Sequence, residues 1–221
     1  MFPIYLTEGY RSFLQDRFPT ERRRFAQLAS SQNPEILIIS CCDSRVSPSA
    51  IFNAGPGELF TIRNVANIVP VYQPDGQYHG TSAALEFAVQ ALEVKHIVVL
   101  GHATCGGIKA YANKAKPLSP GDFIGKWVSL VGQAESKAGD PDAPDYLTKL
   151  ELAVVKQSIE NLLTFPFVKE RVDDGRIELH GAHFGVATGS LLVCDPKTGE
   201  FKPPLDTAGL AVRSVAAIAC D

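Results

Sequence analysis

An α/β fold with a mainly parallel sheet is predicted by three features of the sequence. Short apolar runs rich in β-branched residues recur, a helical segment separates two of them, and the residues with the most chemistry follow directly on the ends of those runs.

The elements follow in order. Leu6, Tyr10, Phe13 and Leu14, then Phe25 and Leu28, have helix-like spacing. Pro19-Thr20 interrupts them, with Thr20 as the cap of a second helix, so an N-terminal helical arm is expected over 1–31. After Pro34 the run "EILIISC" suits a strand buried on both faces, and "ELFTIRN" is a second such run. Residues 81–93, "TSAALEFAVQALE", have helical composition and "KHIVVLGH" after them is a third strand, the alternation of parallel βαβ units. Helical patterns return at about 121–138 and 145–163 around the loop "GDPDAPD". "RIELHGA" and "GSLLVCD" then read as strands, and "DPKTGEF" as a hairpin turn at the far edge of the sheet.

At 221 residues, with no repeat, low-complexity tract or linker, the chain is expected to form one domain: the arm, an α/β core over 32–203 and a C-terminal segment over 204–221. A net charge of -3 offers no basic field for phosphate backbones, which excludes nucleic acid as an expected partner. The opening "MFPIYLTEGY" lacks the basic-then-apolar pattern of a secretory signal, and no apolar run approaches the roughly 18 residues that span a bilayer. The expectation is a cytoplasmic protein without a membrane partner. Five cysteines, an odd number, point to metal binding or buried thiols rather than a disulfide framework. The segment "GLAVRSVAAIAC" carries so little charge that it is expected to pack on something, with the arm, at a subunit interface.

Ligands of open α/β sheets lie beyond the carboxyl ends of the strands, so the residues after the first and third strands belong together. The first ends in Cys41-Cys42-Asp43-Ser44-Arg45 and the third in "GHATCGG", with His102, Cys105, Gly106 and Gly107. Thiolate, imidazole and carboxylate are zinc ligands, and His-x-x-Cys is a spacing that one loop can wrap around one ion. Alternation along a strand puts Cys41 and Asp43 on one face and turns Cys42 to the other, where it would behave as a small apolar side chain.

"CCDSRV", "RNVAN" at 63–67 and "GHATCGG" at 101–107 together closely resemble the β-class carbonic anhydrases over roughly residues 32–195. The resemblance implies one Zn2+ per chain, bound by Cys41, His102 and Cys105, and reversible hydration of carbon dioxide to bicarbonate and a proton by zinc-bound hydroxide. It also implies a mixed, mainly parallel sheet of four or five strands with flanking helices, assembled as a dimer or tetramer. Asp43 and Arg45 take the positions of the family's catalytic pair: Arg45 draws Asp43 aside and leaves the fourth zinc position open, whereas in a closed form Asp43 becomes the fourth ligand. Gln32, nine positions before Cys41, matches the pocket glutamine of plant-type members, and Phe60 and Val65 match its apolar wall. Phe87 stands where the family has a pocket tyrosine, so that hydroxyl is missing. Ile38 replaces a tryptophan that marks the subtype with a noncatalytic bicarbonate site, so no such site is expected.

The chemistry of the residues agrees with the resemblance. Zinc with three protein ligands keeps a position for an activated water, and two thiolates offset the ion's charge, so activity is expected to rise through mildly alkaline pH. Gly106 and Gly107 open a helix whose free N–H groups suit bicarbonate. The same residue pattern would also serve a noncatalytic zinc scaffold or a hydrolase of carbon disulfide or carbonyl sulfide. His79, His96, His180 and His183 are expected to be surface or hydrogen-bonded residues, and Cys194 and Cys220 packing thiols.

Overall fold

The computed structural model describes residues 2–204. The predicted interface role of the C-terminal segment, and Cys220 with it, lie outside the described residues. In chain order the elements are α1 (Ile4–Ser12), α2 (Phe18–Leu28), β1 (Ile36–Cys41), α3 (Pro48–Ile51), β2 (Leu59–Asn64), α4 (Gly80–Glu86), β3 (His96–His102), α5 (Gly106–Ala112), α6 (Phe123–Val128), α7 (Glu135–Ala138), α8 (Tyr146–Leu162), α9 (Pro166–Asp173), β4 (Glu178–Phe184), β5 (Leu191–Cys194) and β6 (Phe201–Lys202). They build an α/β sheet of six strands in the order β2-β1-β3-β4-β5-β6. The first four strands are parallel neighbours, and β5 and β6 add antiparallel to that edge. The sixth strand, beyond the four or five expected, is two residues long and forms the far side of the predicted hairpin.

The expected break in the arm is absent. A π-helical turn, Phe13–Arg17, carries α1 directly into α2. Pro19 follows that turn as the second residue of α2, and Thr20 Oγ1 donates to Arg17 O at 2.7 Å instead of capping a helix. Neither helix has a buried residue; the arm is held to itself by the packed rings of Phe13, Phe18 and Phe25. It is tied to the core where Arg24 Nε donates to Pro56 O at 2.6 Å and Arg24 pairs with Glu58 at 3.0 Å. Leu28 lies over Gly57, where a Cβ would stand 2.6 Å from Leu28 Cδ2 and φ is +80°, so only glycine fits there.

Two apolar clusters flank the same side of the sheet. Leu37, Ile39, Ile97 and Val99 from the central strands pack against Leu85, Val89, Val155, Leu162 and Phe165. Beyond the carboxyl ends of β1 and β3, Cys41, Ala66, Cys105, Ile108, Leu150 and Val154 form a second cluster with α5 and α8. Helix α9 was not foreseen; Pro166 opens it, and Val168 is its one buried residue. No described helix is long and apolar enough to cross a membrane.

Leu37 is fully buried at the centre of the first cluster, so Leu37→Ala should cost about 2–5 kcal/mol. Urea unfolding is the measurement, with a lower midpoint and an unchanged slope as the expected result.

Candidate metal centre

The parallel register of β1 against β2 and β3 brings Cys41 level with Asn64 and ends both central strands at one edge. A turn after His102, with Thr104 at φ 57°, folds the chain back so that Cys105 immediately precedes α5. The ligand atoms of Cys41, His102 and Cys105 then lie within 4.8 Å of one another, all three residues buried. The two sulfurs are 3.9 Å apart. His102 Nδ1 faces Ala103 O at 3.0 Å, and a carbonyl only accepts, so the ring proton sits on Nδ1. Nε2, buried and without a partner, therefore presents a lone pair to the sulfurs. An orphaned buried acceptor beside two thiols is costly unless something electropositive sits between them, and this donor set fits a divalent metal ion.

The local electrostatics favour thiolate there. The neighbouring Cys105 thiol is the main influence holding Cys41 well below the usual thiol range; burial opposes it, while His102 and the backbone N–H groups of Asp43 and Ala66 assist. The same contact with Cys41, together with burial, pushes Cys105 up, so without a cation the pair shares one proton. Burial pushes His102 down, but the Cys41 sulfur outweighs it and the net direction is up.

Asp43 stands at the mouth. Its Oδ2 is 4.0 Å from His102 Nε2, and Arg45 grips both oxygens, Nε on Oδ1 at 2.9 Å and Nη2 on Oδ2 at 2.6 Å. The Arg45 guanidinium holds the Asp43 carboxyl well below the usual carboxylate range, against a smaller opposing effect of burial. Thr104 anchors Arg45 in turn, accepting at Oγ1 (3.4 Å) and at O (3.3 Å). Cys42, expected to behave as a packed apolar side chain, is exposed: β1 has ended, and its backbone N–H donates to Asn64 O at 2.9 Å while the thiol projects outward.

Several supporting residues are not among the site residues expected from the sequence. Arg63 of the "RNVAN" segment donates to Cys41 O (2.8 Å) and Asp43 O (2.6 Å), fixing the backbone on which both side chains stand. Ala66, at φ 67°, turns its N–H toward Cys41 Sγ at 3.4 Å. Glu151, 2% exposed on α8, accepts from Cys105 N at 3.0 Å and faces His183 Nε2 at 3.3 Å. A lone acid inside the apolar run "LELAVV" was the available signal for it, and its contact explains His183, which is not one of the three converging residues.

The pocket residues divide into two groups. Val65 and Gly107 are in contact, since a Cβ on Gly107 would stand 2.5 Å from Val65 Cγ1, whereas a Cβ on Gly106 would meet nothing within 4 Å. Close packing therefore demands glycine only at 107. Phe60 and Phe87 pack with tilted rings, centroids 5.9 Å apart, but Phe60 is level with Leu37, about 13 Å back along the strands from Cys41. Gln32 is exposed ahead of β1, at the opposite end of the sheet. One protomer does not bring Gln32, Phe60 and Phe87 to the metal centre.

The fold and site define a class first: an α/β protein with a Cys-His-Cys metal centre at the carboxyl edge of its parallel strands. Residues 36–191 match the family model for carbonic anhydrase. The chain is 35% identical over 192 residues to β carbonic anhydrase 3 of Arabidopsis thaliana, covering 84% of this chain and 74% of that one. Among solved structures, the β-carbonic anhydrase CcaA superposes with a TM-score of 0.83 at 32% identity, over 90% of this chain and 98% of that one. Tetrameric β-carbonic anhydrases of the ascomycete Sordaria macrospora give 0.73 at 28% identity, over 90% and 97%. The chain belongs to the β-carbonic anhydrase family, and the enzyme type is carbonic anhydrase.

Glu151→Ala strands the Cys105 N–H and His183 in a buried site. Metal retention against a chelator should fall about 10- to 100-fold, read as ion content after dialysis, and the fold should lose about 1–3 kcal/mol.

Proposed function

We propose that the protein catalyses the reversible hydration of carbon dioxide to bicarbonate and a proton, with one zinc ion per chain held by Cys41, His102 and Cys105. The observation that carries this reading is the unpartnered His102 Nε2 facing two sulfurs while Arg45 keeps Asp43 to one side. Sulfurs bound tetrahedrally to zinc at about 2.3 Å stand roughly 3.8 Å apart, which supports zinc for a pair at 3.9 Å. Zinc, when bound, supplies the Lewis acid that makes water nucleophilic toward carbon dioxide near neutral pH.

The chain's own residues do the rest. Asp43, ionised because Arg45 holds its carboxyl low, accepts a hydrogen bond from the attacking water and aims its lone pair. Arg45 keeps that carboxylate from becoming a fourth ligand, and Thr104 keeps Arg45 in place. Val65 offers an apolar wall that suits an uncharged substrate, and the open space at Gly106 leaves room for bicarbonate.

Two features support self-association. Phe2, Ile4, Tyr5, Leu6 and Tyr10 expose a large apolar surface on the arm. The sheet face away from the two main clusters carries a hollow of about 590 Å³ lined by Arg24, Pro34, Ile38, Phe52, Leu59 and Val98. In this reading the arm of a second copy covers that face, and Gln32, Phe60 and Phe87 complete the partner's pocket in a dimer or a tetramer built of dimers.

Stopped-flow hydration between about pH 7 and 9 tests the function: activity should rise with pH and vanish with a chelator. The Asp43 carboxyl, lowered by Arg45, is already ionised at the start of that range, so the rise is not its titration. A flat profile down to about pH 6 counts against the mechanism. Arg45→Ala should keep its zinc and lose about 10- to 100-fold in turnover. Tyr5→Asp with Tyr10→Asp should shift the assembly toward monomer in analytical ultracentrifugation and lower activity with it.

A further inference from the structure

A second group of ligand atoms lies at the other end of the sheet. His96 is the first residue of β3, and Glu178 and His180 stand in β4, with His96 level with Glu178 and Val98 level with His180. The three side chains project on one face, because Glu178 and His180 are two residues apart on one strand and His96 is in register with them. His96 Nδ1 and His180 Nε2 are 3.2 Å apart, and Glu178 Oε2 is 3.8 Å from the first and 3.7 Å from the second. One nitrogen, one nitrogen and one oxygen thus form a nearly equilateral triangle.

A carboxylate oxygen nearly equidistant from both rings is the arrangement that a shared cation draws together. Ligand atoms about 2.1 Å from one ion are about 3.0–3.4 Å apart in octahedral or tetrahedral geometry. The His96–His180 separation falls in that range, and the two to Glu178 exceed it by a few tenths of an ångström. Glu178, with its side chain 69% exposed, has the freedom to close that gap. Lys95, next to His96 in the chain, is paired with Glu35, and Arg176, two residues before Glu178, with Asp174 and Glu170.

We propose that His96, Glu178 and His180 form a second metal site, selective for borderline first-row dications such as zinc, cobalt, nickel and copper. Two imidazoles suit such ions, whereas magnesium and calcium prefer all-oxygen cages. The site is separate from the Cys-His-Cys centre: five residues of β3 lie between His96 and His102, and the six steps span roughly 20 Å of extended strand. Three protein ligands leave the remaining positions to water, and both histidine side chains are more than a third exposed in the single chain. It would clamp the amino ends of β3 and β4.

The test is calorimetric titration of the zinc-loaded enzyme, freed of loose ion by gel filtration, with Zn2+ and separately with Mg2+. One further zinc per chain should bind saturably, with no saturable binding of magnesium. His96→Asn and His180→Asn should each abolish that uptake and leave carbon dioxide hydration at its starting rate, which also shows that the variants are folded. Glu178→Gln, at an exposed side chain, should weaken the uptake at least tenfold. Copper titrated into the zinc-loaded enzyme should show nitrogen hyperfine splitting that both histidine variants lose. Absence of a second saturable zinc, or uptake unchanged in the two histidine variants, overturns the proposal.

Discussion

Two sulfurs held 3.9 Å apart beside a buried imidazole nitrogen without a partner form the constraint on which the rest of the structure depends. Bringing these groups out of water is unfavourable unless they share a cation, so the protein must hold them together against their own preference for hydration. The holding is done by backbone. The parallel strands end level with each other, the turn at Thr104 reverses the chain, and Ala66 and Glu151 bind Cys41 Sγ and Cys105 N from two further elements.

The same economy of placement governs the carboxylate at the mouth. Asp43 is 17% exposed in its side chain and lies 4.0 Å from His102 Nε2, near enough, in the proposed mechanism, to reach an ion held there. Arg45 holds it aside with a planar two-point grip that a lysine would not reproduce. Thr104 accepts from Arg45 while also shaping the turn that delivers Cys105, so the ligand loop and the gate over it share one residue.

The fold leaves two surfaces unfinished in one protomer: an arm with no buried residue and a sheet face with an apolar hollow. In the proposed assembly a second copy would account for both, and for the position of Gln32, Phe60 and Phe87 away from the metal centre. The sheet therefore has distinct ends, one carrying the Cys-His-Cys centre and the other the imidazole-carboxylate triangle.

Sequence alone determined a great deal here because the informative residues cluster in short segments whose local geometry is nearly fixed. The β-branched runs, the alternation of strand and helix, and the two motifs at strand ends were legible without coordinates, as was the hairpin that became β5 and β6. Other features were not legible, and each depends on residues far apart in the chain. The unbroken arm runs through a π-helical turn ahead of Pro19, the exposure of Cys42 depends on where β1 stops, and Glu151 reveals itself only when α8 lies against Cys105. The triangle of His96, Glu178 and His180 is decided by strand register, because residues more than eighty positions apart face each other only once β3 and β4 are paired. Residue identity determined which chemistry was available; long-range packing decided which of those groups meet.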